Sequence, residues 1–193
     1  MGSIRHHGMI PWDDDFDLMM NGSDWRKIRN VLSNVDGFEL FAPSTVQWKF
    51  YLKSLPKGNK PFKWPNIDIF FFTENDDYVW SLTWGSKPSL CNKRSDIFPL
   101  TKRRFDFWDL WVPNKPKKVM FAEFGDFFSS CATPPYVHKT ANIGNKRQSF
   151  VECKVLHQAF PFVFQSMNGL LNKMQETKMI GGRQISNITV PLE

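Results

Sequence analysis

Gly2-Ser3-Ile4-Arg5-His6-His7-Gly8-Met9-Ile10-Pro11-Trp12-Asp13-Asp14-Asp15-Phe16-Asp17-Leu18 sets four acids within five positions, between apolar flanks. Read as a strand-like opening over residues 9–18, the run places Asp13, Asp15 and Asp17 on one face and Asp14 and Phe16 on the other. Three carboxylates on one face repel, each raising the free energy of ionising the next. A fold keeps such a cluster mainly where a divalent cation neutralises it, and hard oxygen ligands suit Mg²⁺ or Mn²⁺. A bare Asp-Asp-Asp run is also the pattern of a solvated acidic turn. Ile10-Pro11-Trp12 ahead of it and Phe16, Leu18, Met19 and Met20 behind it argue for a backbone anchored in a core.

A second acid sharpens this reading. Asp68 lies in Ile67-Asp68-Ile69-Phe70-Phe71-Phe72, apolar on both sides and therefore expected as a central strand. A carboxylate there is costly unless partnered, by a salt bridge, a hydrogen-bonded turn or a metal. If this strand neighbours the first, Asp15, Asp17 and Asp68 can converge on one or two metal ions.

Around these segments the punctuation is regular. Asn21-Gly22-Ser23-Asp24 is a turn and capping cluster, and Trp25, Ile28, Leu32 and Val35 then recur at helical spacing until Gly37. Val46, Trp48, Phe50 and Leu52 alternate with Gln47, Lys49, Tyr51 and Lys53, the pattern of a strand with one buried and one wet face. Residues 78–84 read as the hairpin partner of the central strand, and residues 98–112 as a loop-strand segment. Pro116 opens a short helix that Gly125 closes. A further helix is expected over residues 164–178, and a boundary near Gly144.

The chain has 193 residues, 41% hydrophobic and 23% charged, enough for a buried core and unlike a disordered composition. Its 19 Phe and 8 Trp predict an aromatic-rich interior. No apolar run approaches the roughly 20 residues of a membrane span. The net charge of +6 favours anionic partners without choosing among them. Cys91, Cys131 and Cys153 are odd in number and widely spaced, so they are read as buried or incidental thiols and not as a disulfide or zinc framework.

Gly-Ser-x-Arg-x-x-Gly-x-Ile-Pro-Trp-Asp-Asp-Asp-x-Asp, here residues 2–17, resembles the signature of the LicD/fukutin family of the nucleotidyltransferase-fold superfamily. Later pieces agree in order: Ile67-Asp68-Ile69; Phe98-Pro99-Leu100 with Arg103-Arg104-Phe105; Val112-Pro113-Asn114; and Phe124-Gly125-Asp126 with Pro134-Pro135. The resemblance implies an α/β (α+β) fold with a short mixed central sheet flanked by helices, in a domain over residues 1–143 followed by a partly helical extension over 144–193. It also implies a helix and glycine-rich turn ahead of Ile4, of which Met1-Gly2-Ser3 would be the remnant, so an upstream segment with a type II membrane anchor is expected.

In function, the resemblance implies metal-dependent transfer of phosphocholine or ribitol 5-phosphate from a CDP-linked donor to a glycan. Asp15, Asp17 and Asp68 map to catalytic metal ligands for Mg²⁺ or Mn²⁺, with Asp13 as the alternative. Gly2 and Ser3 map to the superfamily's phosphate-binding Gly-Ser. Arg5, Arg103 and Arg104 are candidate substrate contacts because guanidinium groups bind phosphate oxygens in pairs, although a basic cluster beside aromatics is also a common wet strand edge. His6, His7, His138 and His157 lack a partner at metal spacing and are read as structural or exposed. Such transferases in animals imply a Golgi or secretory lumen. The runner-up is a pseudo-enzyme that keeps the acids without completing a nucleotide pocket. Nucleic-acid binding ranks last, since carboxylates repel a phosphate backbone.

Overall fold

The computed structural model describes residues 1–44, 47–83, 90–133, 136–140, 142–143, 149–168 and 173–191. Val46, Trp84, Pro134, Pro135 and Gly144, which carried sequence expectations, lie outside the described residues. In chain order the elements are α1 (Gly2–Arg5), β1 (Phe16–Asn21), α2 (Trp25–Ser33), β2 (Phe38–Phe41), β3 (Gln47–Leu52), β4 (Ile67–Glu74), β5 (Tyr78–Ser81) and β6 (Cys91–Lys93). There follow α3 (Arg94–Ile97), β7 (Thr101–Phe105), β8 (Trp108–Val112), α4 (Pro116–Phe124), β9 (Ser130–Thr133), β10 (Tyr136–Val137), β11 (Asn142–Ile143), β12 (Ser149–Glu152), β13 (Phe162–Asn168), β14 (Lys173–Ile180) and β15 (Arg183–Val190). The fold is α+β with few helices. Contacts divide it into a sheet unit, Asp14–Arg94 with Pro134–Gln148, and a disulfide unit, Met1–Asp13 with Ser95–Thr133 and Ser149–Glu193.

The sheet unit is built on a six-stranded mixed sheet of order β2-β3-β4-β5-β6, to which β1 adds in parallel alongside β4. The apolar run at β4 is central, as its two-sided hydrophobicity requires. Trp48, Ile69 and Phe71 form the core, with Ile28 and Leu32 of α2 packed against it. The Trp48 and Phe71 rings meet edge-on at 4.8 Å. Burying such side chains stabilises the unit by about 1.5–3 kcal/mol each. The Asn21 side chain caps the turn into α2 by accepting from the Ser23 N–H at 2.9 Å. Gly37, at φ +77°, makes the left-handed turn into β2.

Two sequence expectations change here. The strand begins only at Phe16, so residues 9–15 do not alternate: Asp13 closes a turn by donating its N–H to the Ile10 carbonyl at 3.0 Å. Pro11 has no N–H to give a ladder, and Trp12 is drawn elsewhere, its indole donating to Ala132 O at 3.1 Å within the disulfide unit. The face of β3 expected to be wet is not wet: Tyr51 is 3% exposed and the Lys49 side chain 13%.

The disulfide unit carries the β7–β8 hairpin, the β9–β12 pair and the β13-β14-β15 meander. Its core is Cys131, Cys153 and Phe162, flanked by Trp12, Leu156 and Phe160. Cys131 and Cys153 form a disulfide across 22 residues, which corrects their reading as thiols; Cys91 is free and exposed. The β9–β12 register sets Cys131 opposite Val151, and Cys153 continues the ladder by donating its N–H to Ser129 O at 2.8 Å. Pairing of distant strands, invisible in cysteine spacing, thus makes the bridge. The helix expected over residues 164–178 is likewise overturned. Its Met, Gln, Glu and Lys are good helix formers, but β13 and β14 pair antiparallel and β14 pairs again with β15.

At the centre of that meander Glu176 is fully buried. Its carboxylate accepts from Arg103 Nη2 at 2.5 Å, Gln165 Nε2 at 2.6 Å and His7 Nε2 at 2.8 Å. Burial pushes the carboxyl up, and these hydrogen bonds outweigh it and hold the group below its ordinary range.

Candidate active site

Strand pairing builds the site. The parallel β1–β4 register sets Asp17 opposite Asp68, and the antiparallel β3–β4 register sets Lys49 opposite Asp68. Partners in register carry their side chains on one face. Asp17, Asp68 and Lys49 therefore form a row across three strands, on the face away from Ile69 and Phe71. Asp68 is 5% exposed. Lys49 Nζ donates to both of its oxygens, at 2.5 and 2.7 Å, and Gln47 Nε2 donates to Oδ2 at 3.1 Å. The same ammonium lies 3.4 Å from Asn66 Oδ1 and 4.7 Å from the centre of the Phe62 ring. Of the partners open to Asp68 in the sequence, the salt bridge is the one formed here. Asp17 is exposed.

The acids just ahead of β1 meet a residue that sequence spacing did not single out. His138 has Nδ1 2.6 Å from Asp14 Oδ1 and Nε2 2.8 Å from Asp15 Oδ2. The Tyr136 ring packs edge-on against it at 4.9 Å. Burial, and then the charge of Asp68, push the Tyr136 hydroxyl above its ordinary pKa. Strand β10 and the turn after it thus belong to the acidic site. No local signal reports this, because His138 stands 124 residues from Asp14. Lys49 was legible only as a polar position on β3.

Mg²⁺ or Mn²⁺ fits this donor set in chemistry: Asp15, Asp17 and Asp68 offer oxygens only, and two of them share one register position. Among the described residues no group of three or more His, Cys, Asp or Glu is arranged to hold a metal ion as it stands.

The remaining candidates lie in the disulfide unit. Arg5 is 3% exposed; its Nη1 donates to Phe127 O at 2.6 Å and its Nε to His6 Nε2 at 3.1 Å. Burial lowers this guanidinium to about 10. Arg103 is buried against Glu176, Ser3 is 8% exposed, and a Cβ on Gly2 would collide with the Gly8 carbonyl. Arg5 and Arg103 are thus engaged in internal hydrogen bonds, and Ser3 and Gly2 in close packing. Arg104 is exposed, opposite Asp109 on the hairpin. His6 and His7 are buried and structural, as the sequence suggested.

A family model described as LicD/FKTN/FKRP, nucleotidyltransferase domain, matches residues 1–115. An uncharacterized protein of Rickettsia typhi is 22% identical over 166 residues, covering 84% of this chain and 50% of its own length. The chain therefore spans about half the length of that curated relative. No solved structure matches.

Proposed function

This chain belongs to the LicD/FKTN/FKRP family of nucleotidyltransferase domains, and from that premise we propose that it transfers a phosphorylated alcohol from a CDP-linked donor to a glycan hydroxyl. The donor is of CDP-choline or CDP-ribitol type. The bond broken joins the alcohol's phosphate to CMP; the bond formed joins that phosphate to the glycan oxygen, which gives up its proton. The observation that carries this reading is the row of Asp17 and Asp68 in register on adjacent strands, with Asp15 two residues ahead. These three carboxylates would hold Mg²⁺ or Mn²⁺, with Asp13 as the alternative, and the ion when bound supplies charge neutralisation for the donor's diphosphate.

The chain's own residues already contact these acids. Gln47 orients the Asp68 carboxylate, Lys49 neutralises it, and His138 holds Asp14 and Asp15 just ahead of β1. Within the disulfide unit, Arg104 is exposed and cationic and is the anion contact we retain from the basic cluster. A buried disulfide suits an oxidising compartment, and with the family it supports a secretory-pathway lumen, of Golgi type in a eukaryote. No helix among the described residues is long and apolar enough to cross a membrane.

The test is release of CMP from CDP-choline and CDP-ribitol with Mg²⁺ or Mn²⁺. Turnover that needs the cation and falls at least about 100-fold in Asp17→Asn is the expected result. No CMP from any CDP-linked alcohol, with either ion, overturns it. A second reading, a pseudo-enzyme, is favoured by one observation: the ammonium of Lys49 already occupies both oxygens of Asp68. Metal-dependent heat on titrating CDP, without turnover, would identify that case.

A further inference from the structure

Lys49 is held too firmly to be an incidental surface charge. Its side chain is 13% exposed, its ammonium reaches both Asp68 oxygens, and Asn66 and the Phe62 ring close around it. It is set there by strand register, on the far side of Asp68 from Asp17 in the row. A carboxylate covered on both oxygens by an internal cation has little left to offer an external one. Removing the ammonium would take from Asp68 the cation that now neutralises it, and a divalent cation can take that place at a carboxylate with a second acid in register.

We propose that Lys49 is a positioning residue that competes with the divalent cation for Asp68, so that the ammonium and the metal are alternative partners of one carboxylate. This rests on the cation role proposed above for the acids. Its consequence is a site kept weak for free metal, because loading requires Nζ to leave Asp68. A lysine that only stabilised the sheet would give the opposite behaviour: its loss would loosen the acids and weaken binding.

The experiment is titration of the protein with Mn²⁺, without nucleotide, following the electron paramagnetic resonance signal of the free ion. Lys49→Met should bind Mn²⁺ about tenfold more tightly than wild type or better, as expected for deleting a unit charge in contact with a ligand. Lys49→Arg, which keeps the charge, should stay within about twofold of wild type. Adding Asp68→Asn to Lys49→Met should erase the gain. Unchanged or weaker Mn²⁺ binding in a folded Lys49→Met protein overturns the proposal, as does a gain that survives Asp68→Asn, or no Mn²⁺ binding in either protein. If Lys49→Met loses its near-ultraviolet circular dichroism, Lys49→Gln carries the same expectation. Turnover with no gain in Lys49→Met sinks this inference alone; a gain without CMP release sinks the transferase reading and leaves this one standing.

Discussion

Glu176 and Asp68 are both carboxylates met by a cation, and their surroundings make them opposites. Glu176, in the disulfide unit, is completely buried and accepts from an arginine, a glutamine and a histidine. Asp68, in the sheet unit, is held by a lysine and a glutamine but shares its register position with a second, exposed acid, Asp17. The first cluster balances its charge internally and can only hold the fold together. The second sets two acids side by side at one register position, one of them reached by solvent, an arrangement that an external cation can join. Chemical type alone would not separate them; burial and the neighbour in register do.

The largest expected effect tests the first half of that contrast. Glu176→Ala leaves Arg103 and His7 buried without their acceptor, a loss of about 3–5 kcal/mol, readable as a fall in the urea midpoint. A change below about 1 kcal/mol would show that the cluster is not structural and would blur the difference. Next, Cys131→Ser with Cys153→Ser frees a loop of 22 residues and should cost about 3 kcal/mol. The same fall in stability should appear in wild type under reductant.

Acid provides the third test, again confined to the disulfide unit. His6 is buried with Nδ1 donating to Pro161 O at 2.7 Å, while Nε2 accepts from Arg5. A second ring proton would have to displace that arginine, and burial lowers the imidazole from 6.5 to about 4. The unfolded chain therefore takes up the proton first. Stability from this group is complete above about pH 6.5 and falls as pH drops toward 4, by at most about 3 kcal/mol. Urea midpoints at pH 7, 6 and 5 should decline in wild type and flatten in His6→Gln; equal slopes in the two proteins would assign the effect to another group.

How much of this was visible in the sequence depended on how locally each feature is encoded. Helix α2 follows from Trp25, Ile28 and Leu32 at helical spacing behind a capping turn, and α4 from Pro116 and Gly125. Strand β4 was legible from an apolar run too short for a helix and interrupted by one acid. What the sequence could not carry is what distant pairing decides. Strand β14 is rich in helix formers and is a strand only because β13 and β15 flank it. Cys131 and Cys153 meet through the β9–β12 register. The partners of the acids were hidden for the same reason: Lys49 reaches Asp68 across β3 and β4, and His138 reaches Asp14 from the far end of the unit's sequence.

The smallest effect on stability is expected at Asp17, and there its smallness is the result that matters. Asp17→Asn keeps the shape of the side chain and removes one of two like charges in register. Opposed like charges on adjacent strands cost about 0.2–1 kcal/mol, and the Lys49 ammonium already offsets part of that. The variant should therefore be as stable as wild type or more stable by less than about 1 kcal/mol, in the direction opposite to Glu176→Ala. Mn²⁺ binding and CMP release should fall with it, since Asp17 is one of the three acids proposed to hold the cation. Stability and function would then move apart at Asp17, as they do where a fold retains mutual repulsion for the sake of a site. A loss of more than about 2 kcal/mol in Asp17→Asn, measured in the same urea series, would make this acid structural like Glu176, and the distinction between the two clusters would fail.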